Sequence, residues 1–184
     1  MQYFTADLHF NHKNIVGPEI SKWTRGYRKF KSLGEMHDVI IDNINQMVQE
    51  DDELYIIGDF CFGSERDIVL ARRAFYCKKV QLLIGSHDQI FLKPRTKYLQ
   101  GLFYSVSDRK EVVIENQLII LDHYAKRVWK GSNRGSWHLY GHSHGNLPGI
   151  GKSMDVGIDT NNYFPYSYID IKEILDKKLD EPKS

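Results

Sequence analysis

Cysteine, proline and long apolar runs are all scarce in this chain, and each scarcity excludes a class of protein. The two cysteines, Cys61 and Cys77, form no C-x-x-C pattern, which argues against a disulfide scaffold or zinc ribbon and for a reducing, cytoplasmic setting. Five prolines in 184 residues, with no Pro/Gly/Ser tract and no repeat, offer no linker at which to divide the chain. A single domain over residues 1–180 is expected, with 181–184 a frayed tail. No apolar run is long enough to span a bilayer, and the opening MQYFTADLHF shows no basic-then-apolar signal pattern. A soluble protein with no membrane association is therefore expected, and no obligate protein partner is evident. Charge of one sign is also missing: 25 basic against 24 acidic residues leave +1, so any preference for anions must be local.

What is present is a series of short apolar runs rich in β-branched and aromatic residues: Tyr3–Ala6, Leu54–Ile57, Val80–Ile84, Val112–Ile114, Leu118–Leu121, Trp137–Tyr140 and Met154–Ile158. Helical spacing of Met36, Ile40, Ile44 and Met47 predicts a helix over 33–50, opened by Ser32 and Glu35 as a capping box. Ser64 and Asp67 open a second helix over 65–77, and Ile171, Ile174 and Leu175 mark a closing helix over 170–179. The first half reads β-α-β-α-β and favours parallel strands, whereas 112–114 and 118–121 have hairpin spacing. A mixed α/β sandwich follows, with ligands expected at the strand ends.

Those ends carry an ordered set of residues. Asp7-Leu8-His9 follows the first run, Gly58-Asp59 the second and Gly85-Ser86-His87-Asp88 the third. Further on come Asp122-His123 and Gly141-His142-Ser143-His144. A lone strand histidine is usually a core or surface group, but that does not cover five histidines at the same kind of address. If the backbone stays extended, Asp7 with His9, and His142 with His144, each aim two donors the same way. Glycines at 58, 85 and 141 allow sharp turns and close approach. Mixed Asp/His ligation suits manganese, iron, zinc, cobalt or nickel better than calcium.

The series D-x-H, G-D, G-N-H-D, H and G-H-x-H resembles the calcineurin-like metallophosphoesterase superfamily, and its small single-domain members in particular. Here it stands as Asp7/His9, Gly58/Asp59, Gly85–Asp88, His123 and Gly141–His144. The resemblance covers most of residues 2–170 and implies a four-layer αββα sandwich of two mixed β-sheets flanked by helices. It implies two divalent metal ions, manganese first among the candidates. Asp7, His9 and His144 would hold one, His123 and His142 the other, and Asp59 would bridge them. Hydrolysis of a phosphate ester would proceed by attack of metal-bound hydroxide, with His87 beside the phosphate and Asp88 orienting its ring. One position departs from the pattern: Ser86 stands where asparagine is usual, and its shorter, poorer donor implies a weakened second metal site. Whether that serine is a natural variant or an introduced substitution stays open.

Asn11 and His12 follow the first motif on a loop expected near the metals, and Arg28 precedes the first helix. All three are candidate substrate contacts, with ordinary loop residues as the alternative. Residues 124–136, YAKRVWKGSNRGS, hold four basic residues, no acid, and the aromatics Tyr124 and Trp129. Tyr124 and Arg127 are further substrate candidates, in a rim that could take an anion and stack on a base. A second basic cluster comprises Lys22, Arg25, Arg28, Lys29 and Lys31. No extended basic face exists, so a nucleotide or short nucleic-acid end fits better than a long duplex. The expected activity is a phosphodiesterase. A phosphomonoesterase of small metabolites or nucleotides is the alternative, and a low-activity protein that captures phosphorylated ligands is a third reading that Ser86 favours. Cys61, flanked by Phe60 and Phe62, reads as a packed thiol, and FCFG after Asp59 counts against a protein phosphatase.

Overall fold

The computed structural model describes residues 1–17 and 27–179; Lys22, Arg25 and the tail 181–184 lie outside the described residues. In chain order the elements are β1 (Gln2–Thr5), α1 (Leu33–Met47), β2 (Glu53–Ile57), α2 (Glu65–Arg73), β3 (Lys79–Leu83), β4 (Ser105–Ser107), β5 (Arg109–Ile114), β6 (Gln117–Asp122), β7 (Trp137–Tyr140), β8 (Ser153–Asp155), β9 (Tyr166–Ser167) and α3 (Tyr168–Asp176). One sheet has the order β4-β3-β2-β1-β9 and the other β5-β6-β7-β8. Both are mixed: β1, β2, β3 and β4 run parallel with β9 antiparallel, while β5 opposes a parallel β6-β7-β8. The expected two mixed sheets with helices are thus present.

Side-chain alternation explains the layering. Tyr3, Leu54, Ile56, Val80 and Leu82 point to one face of the first sheet, where Met36, Ile40 and Ile44 of α1 and Ile68 of α2 cover them. Phe4, Tyr55, Ile57 and Leu83 point the other way, into a second core with Ile119, Leu121, Trp137 and Leu139 of the facing sheet. Tyr168, Ile171 and Leu175 of α3 join that second core.

The caps explain where the helices start. Ser32 accepts from the Glu35 amide, while Ser64/Asp67 and Ser167/Asp170 each form a reciprocal box. The last of these starts α3 two residues before the predicted 170. The hairpin between β5 and β6 turns on Glu115 (φ 50°) and Asn116 (φ 67°), the left-handed pair that a two-residue turn of right-twisted strands requires. The run predicted as one strand to Ile158 breaks after Asp155, because the chain crosses between sheets there. The Gly157 amide donates to Asp155 Oδ1 (2.7 Å), and the Ile158 amide reaches Ala6 O on the first sheet (2.9 Å). Among the described residues no helix is long and apolar enough to cross a membrane.

Candidate metal centre

The loops that follow β1, β2 and β3 of one sheet and β6 and β7 of the other meet at one site. Two groups of donors result: Asp7, His9 and His144 in one, Asp59, His123 and His142 in the other, with the ligand atoms of each group within 4.8 Å of one another. The backbone that delivers them is not extended. Asp7 (φ 58°), His9 (φ 52°), Asp59 (φ 56°), His142 (φ 66°) and His144 (φ 48°) all lie in the left-handed region, which bulky residues seldom adopt. Strain of this kind gathers at functional sites. The pairing of residues i and i+2 predicted from strand geometry is therefore achieved by a different route, and His142 and His144 separate into different groups.

Glycine is required where these loops touch. Gly58 sits at φ 88°, and a Cβ there would fall 2.2 Å from His123 Nδ1. A Cβ on Gly85 would lie 2.3 Å from Asp59 Oδ1. Neither position has room for a side chain.

Three of the ligand imidazoles have a partner at Nδ1. His123 Nδ1 donates to Ile57 O (2.8 Å), which makes Nε2 the nitrogen that can bind a cation once it gives up its proton. His144 Nδ1 donates to Asp159 Oδ2 (2.7 Å) in the same manner, and His9 Nδ1 lies 3.1 Å from His12 Nδ1. The Nε2 atoms of His9 and His123 are buried and make no hydrogen bond, although Asp59 Oδ2 lies 3.6 and 3.4 Å away. Buried nitrogens are rarely left unpaired. Two orphan imidazole nitrogens facing one carboxylate oxygen fit divalent cations on either side of it.

The electrostatics agree. Burial pushes the Asp7 carboxyl up to about 7, against the opposing pull of His144 and His123. Burial would also raise Asp59, but His123 and the His87 amide hold it below the usual carboxylate range. His123 moves the other way, to about 9, because Asp59 outweighs its desolvation. Burial, then Arg28, drives His9 well below its ordinary value, and burial, then His87, brings His12 to about 4. A cluster that holds protons this unevenly is one that cations would discharge.

Other predicted residues distribute around this centre. His87 is 41% exposed, with Nε2 4.0 Å from Asp59 Oδ2 and its amide donating to Asp59 Oδ1 (2.8 Å). The Ser86 hydroxyl donates to Asp59 at 3.1 and 3.3 Å from the two carboxylate oxygens. Tyr124 is half-exposed and edge-on to His142 (4.8 Å) and His123 (5.0 Å), and so stands over the second group. Arg127 is exposed and lines a cavity of about 180 Å³ with Lys126, Leu147 and Ile150.

Three expectations are corrected. Asp88 does not orient the His87 ring: it is fully buried and accepts the amides of Asp59 (2.7 Å), Phe60 (3.0 Å) and Gly85 (2.9 Å), clamping two ligand loops together. Arg28 does not face a substrate. Its guanidinium is 1% exposed, pairs with both oxygens of Asp159 at 2.8 Å, and donates to the carbonyls of Leu8 (2.9 Å) and Asp7. Asn11 is turned toward the groove between α1 and α2, where its amide donates to His37 Nε2 (2.9 Å) and its side chain bonds Asp67. Asp159, which the sequence reading gave no part in the site, links Arg28 to His144. Its only signal was position, since it follows β8 within the same strand-end geometry as the ligands.

No protein-family model matches the chain. An uncharacterized protein of Methanocaldococcus jannaschii is 28% identical, over 95% of this chain and 91% of that one. Among solved structures, a protein of unknown function from Aquifex aeolicus superposes with a TM-score of 0.71 at 24% identity, over 95% of this chain and 98% of that one, and so shares the fold. A novel archaeal phosphodiesterase gives 0.47 at 14% identity, covering 85% and 81% of the two chains. A phosphoesterase from E. coli gives 0.48 at 16%, covering 85% and 77%.

Proposed function

We propose that this chain is a metal-dependent phosphoesterase that prefers phosphodiesters of nucleotide type. The observation that carries the reading is the pair of donor groups meeting at Asp59, with buried, unbonded nitrogens on both sides. The ordered motifs that resemble calcineurin-like metallophosphoesterases support it.

Asp7, His9 and His144 would hold one divalent cation and Asp59, His123 and His142 the other, with Asp59 between them. Manganese is the first candidate, then iron, zinc, nickel or cobalt. When bound, such a pair activates water and neutralises phosphate charge. The chain's own groups supply the rest. Asp159 and Ile57 O accept from Nδ1 of His144 and His123 and so orient both rings, with Nε2 as the atom that would bind a cation. His87, half-exposed and fixed through its amide, would give a proton to the leaving-group oxygen as the P–O bond breaks and water adds. Tyr124, edge-on to His123 and His142, and Arg127, three residues further along the same loop, are the substrate contacts we propose for the second ester group. His12, whose ring abuts His9, is proposed to touch the phosphate. Cys61 and Cys77, both unpaired and buried, fit a reducing cytoplasm.

Metal analysis of purified protein, combined with turnover of bis-para-nitrophenyl phosphate and para-nitrophenyl phosphate under Mn²⁺, tests the reading. Turnover of the diester above the monoester, abolished by chelation, is expected. Preference for the monoester would make a phosphomonoesterase of nucleotides or small metabolites the better reading. The contact from Ser86 to Asp59 favours a second reading, capture of a phosphorylated ligand without turnover. Tight binding with no multiple turnovers would establish it.

A further inference from the structure

Asp88 is committed to three backbone amides and Asp59 Oδ2 stands 4.0 Å from His87 Nε2, and the imidazole has a well-defined apolar neighbour as well. The Phe62 ring centroid lies 4.2 Å from that of His87, with the planes inclined by 43°. The same phenyl ring stacks on His12 at 3.9 Å and 10°, and lies 5.9 Å from the ring of His9. His87 is in turn 5.6 Å from His9 and 6.1 Å from His12, so four rings close into one cluster. Phe62 is its one apolar member, and it is 42% exposed although it is a large apolar group.

Its backbone is rigidly tied to the ligand loop. The Phe10 amide donates to Phe60 O (3.1 Å), the Phe62 amide donates to Phe10 O (2.7 Å), and Phe10 and Cys61 form a parallel bridge. Phe62 therefore sits on the same stretch of ladder that presents His9. A ring held in this way limits the rotamers of the half-exposed imidazole beside it, through stacking and excluded volume rather than charge.

We infer that Phe62 is a positioning residue that holds the imidazole of His87, with His12, against the reacting phosphate, an inference that rests on the phosphoesterase reading. The test compares wild type with Phe62→Ala, Phe62→Leu and Phe62→Tyr in the full, Mn²⁺-loaded chain. Expected for Phe62→Ala are unchanged metal content, a kcat on bis-para-nitrophenyl phosphate lowered about tenfold, and a KM within about threefold. Phe62→Leu should fall between, and Phe62→Tyr should recover to within about twofold of wild type. Independently of activity, in the metal-free chain, the His87 Cε1–H resonance, assigned through His87→Ala, should carry a ring-current shift that Phe62→Ala removes and Phe62→Tyr retains. A kcat within about twofold of wild type in Phe62→Ala, a lost metal complement that Phe62→Tyr also shows, or an unmoved His87 resonance would each overturn the inference. If wild type itself turns over no phosphoester, the phosphoesterase reading fails, and the resonance alone decides whether Phe62 places the ring.

Discussion

Replacing Arg28 by methionine removes a fully buried cation that satisfies four oxygen acceptors: two on Asp159 and the carbonyls of Leu8 and Asp7. Methionine keeps much of the stem's volume, so the change isolates charge and hydrogen bonds. Asp159 is left as a largely buried carboxylate, 16% exposed, beside His144, and breaking such a pair from one side costs about 3–5 kcal/mol. That is a large fraction of the roughly 5–15 kcal/mol that folds a domain, and corresponds to a Tm lower by on the order of 10 °C. The sign with pH follows. Burial would raise Asp159, but Arg28 and then His144 hold it below the usual carboxylate range, so its stabilisation is full above the unfolded carboxyl value and fades as pH falls. In R28M the lone carboxyl protonates readily, and the gap to wild type should narrow below about pH 4. Urea denaturation of R28M, D159N and the double variant between about pH 2 and pH 7 measures this. The double variant should recover part of the loss, because it removes the uncompensated charge. If R28M lay within about 1 kcal/mol of wild type while KM rose steeply, Arg28 would be a substrate arm and the present assignment would be wrong.

Other expectations are briefer. D88A should lose about 3 kcal/mol or more, because three buried amides lose their acceptor, whereas H87A should stay within about 0.5 kcal/mol of wild type while losing turnover; urea curves and rates decide both. S86N offers an amide oxygen in place of a hydroxyl donor, so titration should show tighter Mn²⁺ binding at the second group, and an unchanged isotherm refutes the weakened site. Adding Mn²⁺ to chelator-treated protein at pH 7 should release about one to two protons, since His123 (raised to about 9) and Asp7 (raised to about 7) must lose them to bind a cation. Calorimetry in buffers of different ionisation enthalpy counts them, and apparent affinity should rise with pH.

Most of the fold was legible because its signals are local. Each of the seven apolar runs overlaps a strand, and Ser64/Asp67 announces its helix. Ser167/Asp170 is the same signal and marks the start of α3. β4 and β9 escaped because three and two residues carry too little pattern to stand out, and their pairing partners alone define them. At the site, the address of each ligand could be read as a strand end followed by Asp, His or Gly. The direction of side chains at those addresses could not. Asp88 beside His87 looks like a partner in one dimension, yet the amides of Gly85, Asp59 and Phe60 converge on it in three. Arg28 and Asp159 lie 131 residues apart, and no periodicity connects them. The left-handed ligands likewise adopt conformations that local preference opposes and tertiary bonds impose.

Asp7 accepts the amide of His142 from 135 residues along the chain, and Asp59 accepts that of His87. Each carboxylate thus fastens the next ligand loop before any ion arrives, so the pocket opens and closes as one unit. Protection of the His87 and His142 amides from hydrogen exchange should vanish together. On the ribosome, the N-terminal half of the cage must wait for β7, and a nascent chain has no complete place to trap a cation until that late strand has docked.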